Sequence, residues 1–318
     1  MNRRLLGHTG IQVSEIAFGG VEIGMPYGIG VHGKKDMLSR SESVKLLHEA
    51  IDGGINLFDT ARMYGASEEI MGLAFRNKRD QVVISTKCKH IKDPKGVLPS
   101  ADTIKHRIRE SISESLLALQ TDFVDIFMLH RVNNELLKNE AIKETFSRLK
   151  EQGVIRTSGV STYTVEESRL AIDSGVWDVI QIPFNLMDQS QEDIFELAEN
   201  KGIGIIVRSV LFKGILTDKG RNLHTELNNV EQHLKLYDVL LSRTNTDLAT
   251  IATKFALSYK QISSVLVGID KQHYLKNALS LADGQYLDSK QLQLAKELQY
   301  PDPRFLDLVK WDQMGWLT

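Results

Sequence analysis

Short runs of apolar and β-branched residues recur along the chain, each followed by a longer stretch in which apolar positions return every three or four residues. Eight runs stand out: Ile16–Gly19, Asn56–Asp59, Val82–Lys87, Val124–His130, Ser158–Ser161, Val179–Phe184, Gly204–Arg208 and Ser264–Gly268. Between them, Ile104, Ile108, Ile112 and Leu116 make one apolar stripe beside Lys105, Arg107, Arg109 and Glu110, the spacing of a helix that buries one face. Ser100 and Thr103 suit the start of that helix, and Asp52-Gly53-Gly54 suits the end of an earlier one. Such alternation predicts parallel strands joined by crossover helices. About eight units close an α/β fold of the (β/α)8 TIM-barrel type.

Ahead of the first run, Arg4–Leu6 and Gln12–Val13 flank Gly7-His8-Thr9-Gly10 and predict an N-terminal β-hairpin that plugs one barrel end. No Pro-rich linker or low-complexity tract interrupts the chain, so residues 1–318 read as a single domain with a C-terminal tail. Met25–Ser39 and Leu216–Val230 are longer than barrel connections need to be, and are either lids or surface insertions. Gly28-Ile29-Gly30-Val31-His32-Gly33 spells a dinucleotide fingerprint, but no apolar strand precedes it and no helix pattern follows. It reads as a glycine-rich loop.

The chemistry sits at the carboxyl ends of the runs. Asp59, Lys87 and His130 each close one of three consecutive strands, and in a parallel barrel those ends share a mouth. Singly, each has an ordinary account: a cap, a snorkelling lysine, a hydrogen-bonded core histidine. With Tyr64, five residues past Asp59, they form a set with a mechanism. A phenol titrates near 10, and a lysine ammonium beside it would lower that value toward neutrality. A carboxylate would keep the lysine charged, and an imidazole can hydrogen-bond a carbonyl oxygen that gains negative charge. Such a group moves a proton on or off an oxygen while hydride moves at carbon. No side chain donates hydride, so a nicotinamide cofactor is implied.

Composition narrows the partners. The formal net charge of -2 offers no field for nucleic acid, and 42% hydrophobic with 25% charged residues suits a globular enzyme. The lone Cys88 cannot form an internal disulfide, and the nine histidines show no metal-ligand spacing. With no apolar stretch of signal-peptide or membrane-span length, a cytoplasmic protein with no membrane partner and no metal is expected. A metal-dependent isomerase or hydrolase would need more strand-end ligands than Asp59 and His130.

From Arg4 to about Ala282 the wording resembles the aldo-keto reductase family. The resemblance is carried by Leu6-Gly7-His8-Thr9-Gly10, Ala17-Phe18-Gly19-Gly20, the run Ala50 to Glu68 through Asp59-Thr60-Ala61-Arg62-Met63-Tyr64-Gly65, Ile84-Ser85-Thr86-Lys87 and Leu129-His130. It implies a catalytic tetrad of Asp59, Tyr64, Lys87 and His130, and NADPH as cofactor, with NADH as the alternative. By the same resemblance Gly20, Val21, Asp59, Ser161 and Gln181 border the nicotinamide end, and Thr162 stands where many members have asparagine. Arg208 replaces an aromatic ring, and would either stack in its place or pair with a carboxylate. Ser209, Leu211 and Gly214 would follow the pyrophosphate. Gly268, Asp270, Gln272 and Asn277 would meet the adenosine, Asp270 in place of a hydroxyl residue and Asn277 one position early. Lys271 could hold a 2′-phosphate, and the carboxylate beside it could reject one.

Tyr27, Tyr64, His130 and Arg131, with Trp311 or Trp316 from the tail, are expected around a small aldehyde, ketone or sugar. Arg131, next to His130, would either serve in a structural ion pair or bind a polar or anionic substrate. A monomer or weak homo-oligomer is expected. The other reading is a cofactor-sensing regulatory subunit resembling the potassium-channel β subunits.

Overall fold

The structure is a computed structural model that describes residues 1–31, 33–244 and 246–317. β1 (Arg3–Leu5) and β2 (Gln12–Ser14) form an antiparallel hairpin. The following strands are β3 (Ile16–Gly19), β4 (Leu57–Asp59), β5 (Val83–Lys87), β6 (Val124–Leu129), β7 (Ile155–Ser161), β8 (Val179–Pro183), β9 (Gly204–Arg208) and β10 (Ile262–Gly268). They close a parallel eight-stranded barrel in which β10 returns to pair with β3. The expected runs all appear with ends shifted by three residues or fewer, and helices occupy the stretches between them.

Strand periodicity sorts the side chains into two layers. Ala17, Leu57, Val83, Ile126, Met128, Val179, Ile206 and Leu266 belong to a cluster inside the barrel, which Leu6, Ile11 and Val13 of the hairpin region extend at its amino-terminal end. Phe18, Phe58, Ile84 and Phe127, one position along, belong to the outer cluster shared with the helices. The helix Ala101–Leu119 shows the outer packing. Ser100 caps it by accepting from the Thr103 N–H, and Ile104, Ile108 and Ile112 are buried.

The hairpin is tied to late parts of the chain. The His8 N–H donates to the Gly202 carbonyl at 2.8 Å. The Arg4 guanidinium donates to the carbonyls of Leu257, Tyr259 and Ile262. At the other end two long connections meet: the Ile29 N–H reaches the Lys213 carbonyl at 3.4 Å, and Lys219 Nζ reaches the Ile29 carbonyl at 3.2 Å. The fingerprint-like Gly28–Gly33 lies in the first of these, after the short helix Val21–Gly24 and before a single turn at Lys34–Asp36, with His32 outside the described residues. It follows no strand and opens no long helix. In the tail, helix Leu308–Gln313 docks by burying Trp311 against Phe212 and Phe305, and by pairing Asp312 with Lys213 at 2.6 Å. Among the described residues no helix is long and apolar enough to cross a membrane.

Candidate active site

The inward period of the strands decides which residues reach the mouth. Two positions beyond inward Leu57 stands Asp59, four beyond Val83 stands Lys87, and two beyond Met128 stands His130. The same count carries Gln181 from Val179, Arg208 from Ile206 and Gly268 from Leu266. These ends surround a cavity of about 360 Å³.

Asp59 is the hub. One carboxylate oxygen accepts from Ser85 Oγ and Gln181 Nε2, each at 2.9 Å, and the other accepts from Lys87 Nζ. The Lys87 ammonium, fully buried, also donates to the Thr60 carbonyl at 2.9 Å and lies 5.0 Å from the centre of the Tyr64 ring. The Tyr64 and His130 rings meet edge to face at 5.8 Å.

Tyr64 is set by the turn after β4. The Arg62 N–H donates to the Lys87 carbonyl, and the Arg62 guanidinium grips Glu68 and Glu69. Glu68 in turn accepts from Thr86 Oγ1 at 2.6 Å, so the turn is bolted to the strand that carries Lys87. Gly24 packs flat against the turn: a Cβ there would stand 1.9 Å from the Tyr64 carbonyl oxygen.

Burial, and after it the Asp59 carboxylate, hold the Tyr64 phenol well above its ordinary value of 10.0, with Arg208 opposing. The sequence expectation of a phenol lowered by Lys87 therefore needs correcting. Lys87 is bonded to Asp59 and Thr60, and Arg208 is the cation that acts most strongly on Tyr64. Burial lowers the Lys87 ammonium, against the pull of Asp59. Burial, then the Lys87 charge, keeps His130 well below 6.5, so its imidazole is neutral at physiological pH. Its buried Nδ1 has no partner among the described residues.

Most of the expected residues line this cavity: Gly20, Val21, Tyr27, Asp59, Tyr64, His130, Ser161, Gln181, Arg208, Ser209, Leu211, Gly214, Gly268 and Asp270. Lys87 lies beneath the wall. Arg131, Gln272 and Asn277 do not line it. Arg131 is exposed beside His130 on left-handed backbone (φ 54). Gln272 is exposed and donates to Glu49, and Asn277 is also exposed. Both belong to the helix Gln272–Leu281, whose Tyr274 faces the cavity instead. Lys271 is exposed as well, its ammonium 5.9 Å from the Tyr274 ring. Of the tail, Val309 reaches the wall, whereas Trp311 is packed inward and Trp316 stacks on His224.

Arg208 lines the cavity and pairs with no carboxylate among the described residues. Its guanidinium lies 4.3 Å from the centre of the Tyr163 ring and donates to the Thr162 carbonyl at 2.9 Å, an arrangement its planar fork suits. The Thr162 hydroxyl is turned away from the mouth into a hydrogen bond with Ser168 Oγ at 2.7 Å. Glu22, Tyr163, Lys213, Lys219 and Tyr274, none of them anticipated, also line the wall. They come from loops and helix starts, where no periodicity marks direction. The segment after β9 holds Ser209, Phe212 and Lys213 at positive φ, costing roughly 1–3 kcal/mol each and typical of binding loops.

A dinucleotide fits these residues. Ser161 and Gln181 offer polar groups beside Tyr64, Lys213 and Lys219 offer cations, and the unpartnered His130 Nδ1 belongs to a ring that faces the same space. The aldo/keto reductase family profile matches residues 15–299. L-galactose dehydrogenase of Arabidopsis thaliana is 30% identical over 280 residues, covering 84% of this chain and 83% of that protein. The NADH-specific methylglyoxal reductase of Escherichia coli is 28% identical over 299 residues, covering 84% and 89%. Among solved structures, the holo form of an aldo-keto reductase from Bacillus halodurans superposes with a TM-score of 0.77 at 24% identity, covering 94% of this chain and 96% of that one. Closed barrel, plugging hairpin and family match agree: this chain belongs to the aldo/keto reductase family and is an NAD(P)H-dependent oxidoreductase.

Proposed function

We propose that the protein reduces the carbonyl of a small aldehyde, ketone or sugar, or oxidises the matching alcohol, with Tyr64 exchanging the proton at oxygen. The observation that carries this reading is the meeting of the Tyr64 and His130 rings at one cavity, over the buried Lys87–Asp59 pair. A bound nicotinamide dinucleotide supplies or accepts the hydride. Ser161, Gln181, Arg208, Ser209, Leu211, Gly214 and Gly268 would hold it.

The remaining steps belong to the chain's own side chains. Tyr64, held protonated at neutral pH, keeps a proton ready for the carbonyl oxygen. The phenolate left behind is favoured by the positive charge of Arg208. Neutral His130 can donate a hydrogen bond to the same oxygen and orient it without competing as an acid. In the reverse direction Tyr64 is the base, and Arg208 favours its ionised form. The names of two relatives, a galactose dehydrogenase and a methylglyoxal reductase, support small polar substrates.

The test is a panel of aldehydes, ketones and sugars followed at the nicotinamide absorbance band. Tyr64→Phe should lower kcat by about 100-fold or more, the usual weight of a positioned general acid, while dinucleotide binding persists. Undiminished turnover in that variant would remove Tyr64 from the mechanism.

A further inference from the structure

The nicotinamide ring of a dinucleotide is a cation when oxidised and neutral when reduced, so a fixed charge beside it weighs the two forms unequally. Hydride passes between carbons in contact, and Tyr64 and His130 face the oxygen of the accepting carbonyl. The ring therefore belongs at their end of the cavity.

Arg208 stands at that end. β8 and β9 pair Gln181 with Ile206, and Gln181 Nε2 donates to Asp59 at 2.9 Å. Arg208 is the next inward position of β9, one layer closer to the mouth, and it lines the cavity. Its guanidinium is fixed by the Thr162 carbonyl and the Tyr163 ring, and no carboxylate among the described residues pairs with it. Burial has the largest effect on Tyr64, Lys87 and His130, yet the Arg208 charge is also felt by all three, which sets it among them.

The other charges of the cavity offset one another. Lys87 and Asp59 form a buried pair, and Lys213 is paired with Asp312. Burial raises the Glu22 carboxyl to about 8, with Asp270 adding to the rise and Lys219 opposing it, so this group is mostly protonated at pH 7. Lys219 and Asp270 line the wall with opposite signs. Among the described residues, Arg208 is left as the uncompensated charge beside Tyr64.

We propose that Arg208 makes the site hold the reduced dinucleotide more tightly than the oxidised one, by repelling the cationic ring and tolerating the neutral one. The site thereby captures the hydride donor and releases its spent form, the order a carbonyl reductase needs. This rests on the reading that the cavity holds a nicotinamide dinucleotide, and it is indifferent to a 2′-phosphate on the far ribose.

Equilibrium binding to the full chain at pH 7 and fixed ionic strength tests it without any substrate. NADH and NADPH are followed by nicotinamide fluorescence, and their oxidised forms by competition against them. For whichever dinucleotide binds, the reduced form should be at least about tenfold tighter, which raises the midpoint potential of the bound couple by about 30 mV. Arg208→Met should shrink that ratio toward one, chiefly by improving the oxidised form, whereas Arg208→Lys, which keeps the charge, should retain most of it. Equal or tighter binding of the oxidised form to the wild type overturns the proposal and leaves the reductase reading intact. So does an unchanged ratio in an Arg208→Met protein whose thermal transition shows it folded. A lysine variant that loses the ratio as fully as the methionine one assigns it to the flat guanidinium rather than its charge, and also overturns the proposal. Binding of neither form of either dinucleotide sinks both readings.

Discussion

At the scale of single residues, the same burial that shapes the site also carries a cost, most visibly at Glu22. Its carboxyl rises from an ordinary 4.5 to about 8 in the folded chain. Between those values the folded state holds a proton that the unfolded state has released, so stability falls as pH rises through this window. Glu22→Gln should therefore stabilise the protein near pH 8, by roughly 2 kcal/mol or more, and scarcely at all near pH 4.5. Urea unfolding of both proteins at the two pH values decides it; a gain independent of pH would assign the effect to packing. The residues legible in advance were those at strand ends, Asp59, Lys87 and His130, whereas Gln181 came from the family resemblance. Tyr64 was legible from its setting near Asp59. Glu22, Tyr163 and Tyr274 were not, because their directions depend on contacts made only after the chain has closed. The tuning of Tyr64 was misjudged for a related reason. Which cation acts on a phenol depends on what else each cation holds, and Lys87 is held by Asp59.

Among elements, the turn carrying Tyr64 is held from several sides. The helix Val21–Gly24 abuts it, Arg62 and Glu68 bolt it to β5, and the Ala66 N–H donates to the Gly24 carbonyl at 3.1 Å. Gly24→Ala would force a methyl group into the Tyr64 backbone. The expected result is a stability loss of about 1–3 kcal/mol, as for other overpacked sites, with a larger proportional loss of kcat than of dinucleotide affinity. Steady-state kinetics beside equilibrium unfolding would check this, and an active, fully stable variant would show the turn to be looser than the contacts imply. Strand boundaries were read to within three residues because apolar runs end where polar caps begin. The long connections could be read only as long: their pairing through Ile29, Lys213 and Lys219 leaves no trace in local pattern.

For the whole molecule, the barrel, its plug and its tail serve different ends. The tail contributes Val309 to the cavity and fastens the segment after β9 through Trp311 and Asp312. Removing residues 307–318 should leave the far-ultraviolet signal and the main thermal transition nearly in place, because these contacts lie outside the barrel and open as a local unit. Dinucleotide binding should weaken at least about threefold, since the loop that lines the path loses its anchor. Unchanged affinity after truncation would separate the tail from the site.

The pairing of β3 with β10, and the reach of Arg4 to carbonyls near residue 260, join the two extremes of the chain. A ribosome adds about 5–20 residues per second, so the first barrel strand waits on the order of tens of seconds for its final neighbour. During that time its edge has no lasting partner, and the arginine that will lock the floor has nothing to hold. Helical units can form as they emerge, but the core that places Asp59 opposite Gln181 is completed only when the last strand arrives. Activity is thus a property that the nascent chain acquires late and all at once.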